Sequence, residues 1–429
     1  MIIKEDLEEA KERMKAWWDH ETTDRPTIAY NIPEGPNSAK ALVASGALNF
    51  DLGKDWDGVE PILDTLENNS DGLVWGGECI PRYFPNYGPG SMAAVLGITP
   101  QFKSGTIWFH KRTDVKDIVS VLENAKLNED NEWYVRLKRT TEIAAKRGAK
   151  HNYCVAMTDL GGILDILVSF LGPQEVIIQM RRNPGLIDTC RAIIMEKYLK
   201  VYDELQNIIN KYVDGCDTWL NLWCPKRYYT MQSDVCVMLN QSYFERFVLP
   251  DLKEQAEHMD HSFYHLDGPE QIRFLDDILK VVDGIQYVPG AKPGMPQDGA
   301  DEWIPLYKKI QKAGKNIHMT ILDCPMVPKV YNKLNPKGLF VYAVYFTRGL
   351  AECYLPKFMG GDGGELVNTV SIWVKENNVE KINRAKLREY LTSNNFKISK
   401  SLENQILRDL KKEQAAFSYI PDIEKKEMQ

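Results

Sequence analysis

Residues 264–268, "YHLDG", set an imidazole and a carboxylate two positions apart at the end of an apolar run. In a strand, side chains at i and i+2 share a face, so His265 and Asp267 project together where the chain leaves its sheet. The pair suits a metal site, an acid/base couple, or a buried histidine held by its neighbour. Further reactive groups close other apolar runs. Glu78 and Cys79 end "GLVWGGEC", Asp159 ends "YCVAMTD", and Asp323 and Cys324 follow "NIHMTIL", which carries His318. Zinc takes three or four N, S or O ligands, and His265 with Glu78 and either Cys324 or Asp267 is a set of that kind. Such an ion would polarise a leaving group. Adjacent strand residues face opposite ways, so at most one of Glu78 and Cys79 enters a shared site.

Aromatic side chains recur in or just beyond the same runs: Trp75, Trp219, Trp223, Tyr264, Tyr287, Tyr342 and Tyr345. At a common mouth they would box a flat ring or a methylated ammonium, and away from it they would serve as core. Asp234 lies in a loop beyond the fourth run, while Arg25 and Arg348 flank the first and the last. An arginine so placed would hold an anionic substrate group, or would pair on the rim.

These groups need elements to bring them together. Eight short runs rich in branched and aromatic residues read as strands: 26–32, 72–78, 153–159, 217–223, 262–268, 284–290, 316–322 and 338–346. Helical patterns such as "DTCRAIIMEKYLKVYDELQNIINKYV" fill the gaps. This alternation predicts the α/β class, and eight strands predict a (β/α)8 TIM barrel, whose functional residues gather at the C-terminal ends of its strands. The barrel would carry an N-terminal helix and an insertion at about 80–150, after the second strand, holding an extra hairpin or strand. Its expected span is 1–362, with a C-terminal helical extension over 363–429. A doubly wound open sheet is the alternative, but the first loop, "NIPEGPN", lacks a glycine-rich phosphate motif.

Composition narrows the function. The 429 residues carry a net charge of −7, which offers no basic footprint for nucleic acid. The opening segment is charged and helical, and the best apolar stretch, "GGILDILVSFLG", is short and carries Asp165. No membrane segment and a cytoplasmic location are therefore expected. Eight scattered cysteines form no C-x-x-C pair, which argues against a zinc ribbon, a redox dithiol or a disulfide framework. No nucleophile elbow, Walker loop or dinucleotide fingerprint stands in a suitable context. A homodimer is compatible with the sequence, which does not specify an oligomeric state.

Taken in order, "RPTIAYNI", "SDGLVWGGECI", "MTDLGGILDILVSFLG", "SDVCVMLNQSYFERFVLPDLKEQ", "YHLDG" and "DGIQYVPG" resemble the uroporphyrinogen decarboxylase superfamily over roughly residues 20–350. The most specific parts are the segment from Asp234 to Pro250 and the strand end at 265–268. The resemblance implies a (β/α)8 barrel and one of two activities: tetrapyrrole decarboxylation, or methyl transfer to or from a corrinoid protein. The decarboxylase branch grips substrate carboxylates with an arginine-rich stretch, where this chain has "YNIPEGPN". Thiol-methylating members hold zinc on a His-x-Cys pair and a distant cysteine, where this chain has His265 and Asp267. The resemblance therefore implies the demethylating branch, which moves methyl from a small O- or N-methylated donor to the Co(I) corrinoid of a partner protein. Glu78, His265 and Asp267 would be catalytic there, with Zn2+ on His265, Glu78 and Cys324. Trp75, Trp223, Tyr264, Tyr287, Tyr345, Asp234 and Arg348 would bind substrate. The corrinoid would come with its protein, since no Asp-x-His-x-x-Gly motif is present. The remaining alternatives are a lyase acting on a carboxylated small molecule and a non-catalytic binding barrel.

Overall fold

A computed structural model describes residues 2–21, 23, 26–46, 58–103, 106–109, 113–290, 294–321 and 326–343, together with Arg384, Ala385, Leu387, Arg388 and Leu407. In chain order the elements begin with α1 (Leu7–Trp18), β1 (Thr27–Pro33), α2 (Pro36–Ala44), α3 (Glu60–Asn69) and β2 (Leu73–Gly77). Then come β3 (Arg82–Tyr83), α4 (Ser91–Val95), β4 (Gln101–Lys103), β5 (Thr106–Trp108), α5 (Ile118–Asn124), α6 (Glu132–His151) and β6 (Cys154–Val155). The middle of the chain forms α7 (Ile163–Leu171), α8 (Pro173–Arg182), α9 (Pro184–Asn210), β7 (Tyr228–Met231), α10 (Gln241–Phe247) and α11 (Leu249–His258). The series ends with β8 (His261–Asp267), α12 (Leu275–Ile278), β9 (Gly284–Val288), α13 (Ile304–Lys312), β10 (Asn316–Ile321), α14 (Met326–Lys333) and β11 (Leu339–Ala343).

The architecture is mixed α/β around a seven-stranded sheet of order β2-β1-β11-β10-β9-β8-β7. Every pairing in it is parallel except β1 with β2. Strands covered on both faces read as continuous apolar runs, and β11 and β7 are buried at every position. The sheet is not closed, since β2 and β7 are its edges. Two of the eight runs expected to complete a barrel stay outside it. The third supplies only β6, which pairs with β3 in a separate two-stranded ladder. The fourth, 217–223, is a loop. Asp217 Oδ1 takes the backbone N–H of Thr218 and of Leu222, and the chain folds back so that the backbones of Cys216 and Cys224 exchange N–H to carbonyl hydrogen bonds. A carboxylate that captures nearby N–H groups diverts the backbone from ladder pairing. Within the expected insertion, β4 and β5 form an antiparallel pair.

The second run does become a strand, yet it runs against β1, and the helices before it explain why. One helix between two strands returns the chain for a parallel partner, whereas two helices reverse it. Two helices lie between these strands, α2 and, packed on it, α3. Glu34 N–H bonds Gly72 O at one end of the pair, and Glu78 N–H bonds Ile28 O at the other. Gly77 makes that last turn at φ +59, where a Cβ would lie 1.9 Å from the Ile28 carbonyl oxygen.

The amino ends of the parallel strands are covered by α1. Its buried side chains, Ala10, Met14, Trp17 and Trp18, recur at helical spacing. Trp17 lies 6.2 Å from Phe263 and 5.8 Å from Phe340, and Trp18 lies 4.9 Å from Tyr228. Trp18 Nε1 donates to Trp223 O at 2.9 Å, so the indole buries its ring and satisfies its polar edge. The six described cysteines (79, 154, 190, 216, 224 and 236) are buried and unbridged. Among the described residues no single helix is long and apolar enough to cross a membrane.

The C-terminal extension expected over 363–429 lies outside the described residues, apart from the five positions named above.

Candidate functional site

β8 presents His265 and Asp267 on one face at its carboxyl end, both half-buried. Gly268 follows at φ +83 and turns the chain out of the strand. Imidazole Nδ1 lies 2.6 Å from Gln286 Oε1 on the neighbouring strand, and the Trp219 ring meets the imidazole edge-on at 6.2 Å. Trp219 is held from behind. The buried Arg82 guanidinium pairs with Asp217 Oδ2 at 3.3 Å and donates to the carbonyls of Thr218 and Trp219. A fully buried cation thus fastens the loop that carries the ring.

Two further carboxylates, Asp159 and Asp234, feel the charge of His265, and a third, Asp165, stands against Asp234. Asp159 follows β6 and is buried; its Oδ1 accepts from Gly161 N–H at 2.8 Å and Gln232 Nε2 at 3.0 Å. Burial pushes its pKa up to about 6, against the pull of backbone N–H groups and of His265, while the Asp234 charge adds to the rise. Asp165, in the first turn of α7, accepts the backbone N–H groups of Asp234 at 2.9 Å and Val235 at 2.8 Å. Burial raises its pKa first and the Asp234 charge second. Asp234 itself reaches solvent but has protein on most sides. Its pKa is raised by desolvation and by Asp267, and lowered by His265. Asp234 opens the 3-10 turn Asp234–Met238, whose far end is tied by Arg273 donating to the carbonyls of Val237 at 2.8 Å and Leu239 at 2.6 Å. Gly162 allows α7 to approach, because a Cβ there would lie 2.3 Å from both Asp165 Oδ2 and Gln232 O.

The cluster therefore holds Asp159, Asp234 and Asp267 around one imidazole, with an indole edge beside it and Asp165 against Asp234. Like charges this close do not all ionise together, and burial favours the neutral acid. Such a set can keep a carboxylic acid protonated near neutral pH and deliver its proton to a leaving group.

Of the residues expected from the sequence, His265, Asp267 and Asp234 come together here. Glu78 does not join them. Because β2 runs backwards, Glu78 sits at the start of β1, where Oε2 accepts Ile28 N–H at 2.8 Å and Oε1 lies 3.7 Å from Arg13. Trp75 is buried in β2 opposite Asn31. Trp223 packs under α1, with Nε1 donating to Asp214 O. Tyr264 and Tyr287 alternate with His265 and Gln286, and so point to the opposite face. Tyr264 bonds Gln271 at 2.9 Å, and Tyr287 packs on Trp303 and Tyr307. Cys324, Tyr345 and Arg348 lie outside the described residues. Cys79 bonds Asn31 and Asn221, and burial pushes its thiol up to about 11, so it stays neutral. Gln286 stands at the end of its strand as the sequence implies, whereas Asp165 and Gln232 were missed as site residues; the visible signal for Asp165 is a lone carboxylate inside an apolar helix.

The zinc set does not assemble among the described residues. Glu78 is elsewhere, one imidazole nitrogen is taken by Gln286, and no group of three or more His, Cys, Asp or Glu side chains is placed to hold a metal ion.

No protein-family model matches the chain, and no curated protein matches it. Among solved structures the chain is similar to a methyltransferase from Methanosarcina mazei, with a TM-score of 0.52 and 10% sequence identity. The match covers 78% of this chain and 92% of that one. At that identity the likeness is one of fold.

Proposed function

We propose that this protein is a methyltransferase that moves a methyl group from a small O- or N-methylated donor to the corrinoid of a partner protein. The observation that carries the proposal is the acid cluster around His265, in particular Asp159, whose pKa is lifted to about 6. Removing a methyl group from oxygen or nitrogen breaks the bond heterolytically and leaves the electron pair on the heteroatom. A departing phenolate then needs a proton or a positive partner, whereas a methylated ammonium departs as the neutral amine. A buried carboxylic acid supplies that proton from Asp159 or Asp165, and His265 stands within Coulomb reach of both Asp159 and Asp234. The corrinoid, docked over the strand ends on its own protein, supplies the nucleophile. The residues of this chain orient the donor, exclude water and hold the proton.

Two further observations favour this over a decarboxylase-like lyase. The aspartates that stay ionised repel a carboxylated substrate but tolerate a neutral ether or a methylated ammonium, and Trp219 offers an aromatic edge. The fold is shared with a protein named a methyltransferase. The barrel belongs to the same proposal. In that proposal the β3–β6 ladder would fill the gap between the two sheet edges, β2 and β7.

The test is methyl transfer to Co(I) cobalamin, followed by absorbance, with a panel of methoxyarenes and methylamines. At least one donor should be turned over by the wild type, and His265→Ala should lower that rate by about 100-fold or more. Turnover by His265→Ala at the wild-type rate would remove the basis of the proposal. So would decarboxylation of an acid in place of methyl transfer.

A further inference from the structure

Three successive strands carry polar side chains in one register row: His265 of β8 stands opposite Gln286 of β9, and Gln286 opposite His318 of β10. The two imidazoles differ in their surroundings. His318 is fully buried, with Nε2 2.8 Å from the Leu220 carbonyl, and burial drives its pKa down to about 3. A carbonyl oxygen only accepts, so neutral His318 carries its proton on Nε2 and leaves Nδ1 a bare lone pair. That nitrogen is buried without a hydrogen-bond partner. Gln286 lies between the rings in the row. Its amide oxygen faces His265 Nδ1 at 2.6 Å, and an amide oxygen only accepts, so this contact places the ring proton on Nδ1.

We propose that Gln286 is a positioning residue that fixes His265 as the Nδ1–H tautomer and leaves Nε2, with its lone pair, as the nitrogen available to a ligand among the aspartates. The partner of one ring nitrogen decides the role of the other. With Nδ1 committed, His265 accepts a proton or a donor group at Nε2 only. Without Gln286 the ring would exchange between tautomers and put an N–H where a lone pair is required. The inference rests on the methyl-transfer proposal for its consequence in turnover, but the tautomer can be read without turnover.

The experiment uses the full-length chain labelled with 15N-histidine, which has seven histidines to resolve. Long-range 1H–15N correlation distinguishes a protonated ring nitrogen from a bare one, and His265→Gln assigns the resonance. The wild type, at a pH where the ring is neutral, should show Nδ1 protonated and Nε2 bare. Gln286→Leu should give a tautomer mixture and lower methyl transfer at least about tenfold. Gln286→Glu, whose carboxylate also accepts Nδ1–H, should restore both. A wild-type ring protonated on Nε2 overturns the inference, as does an unchanged tautomer in Gln286→Leu. Should Gln286→Leu fail to fold, the wild-type spectrum and Gln286→Glu still decide it. Methyl transfer with the wrong tautomer would sink only Gln286's role; the right tautomer with no transfer from any donor would sink only the functional proposal.

Discussion

Replacing Asp159 by Asn separates what the fold needs from what the site needs. The carboxyl is buried, and its pKa rises from the ordinary 3.8 to about 6. A carboxyl that holds its proton more tightly when folded makes the native state lose stability as pH rises. The penalty is absent below about 3.8, grows between there and about 6, and is fully present above that. At pH 8 it corresponds to about 3 kcal/mol. Asn carries no charge, and its oxygen can keep both bonds now made by Oδ1, from Gly161 N–H and Gln232 Nε2. Its NH2 would face the Gly90 N–H that now favours the carboxylate, at a cost of about 1 kcal/mol. The variant should therefore be more stable than the wild type by about 2 kcal/mol at pH 8. In a chain of 429 residues that is a rise in melting temperature of about 2 °C. Below about pH 4.5 the sign should reverse, because the wild-type carboxyl is then largely neutral and better bonded. Scanning calorimetry at matched scan rates over pH 4–8 measures the difference, and methyl-transfer rates measured alongside should fall. A variant less stable than the wild type at pH 8 would refute the burial argument. A variant that is stabilised and fully active would show that the Asp159 proton plays no part in turnover.

Glu78→Gln should leave kcat/KM within about twofold and lower stability by about 1–3 kcal/mol, since the amide can still accept Ile28 N–H but no longer attracts Arg13. Loss of turnover in a folded variant would return Glu78 to the site. Arg82→Met should destabilise the protein by about 3–5 kcal/mol, measured by urea unfolding, because Asp217 is left buried and unpaired. It should also release Trp219 from His265, seen as a change in near-ultraviolet circular dichroism; an unchanged spectrum would argue against the fastening role.

Much of the sheet could be read from periodicity. The runs at 262–268, 284–290 and 316–322 are strands because branched and aromatic residues fill them and turn residues bound them, and the i, i+2 rule put His265 and Asp267 on one face. The same rule excludes Tyr264 and Tyr287, whose neighbours point inward, so those two errors lay in how the rule was applied. Glu78 was different in kind. Its strand was found, but hydrophobic period carries no strand direction, and the missed helix Pro36–Ala44 reversed it. The run at 217–223 looks like a strand because it is rich in Trp and Leu, of which Leu220, Leu222 and Trp223 are buried; a carboxylate capturing two backbone N–H groups makes it a loop. The aspartates at the site were scattered over 159–267, and their meeting depends on tertiary folding that no local pattern encodes.

The unbridged cysteines have a practical consequence. Cobalt(I) persists only under strong reductants such as titanium(III) citrate, which would cleave the cross-links of many proteins during an assay. Here the described sulfur atoms form none, so the low potential that the proposed reaction would demand and the integrity of this part of the scaffold do not compete.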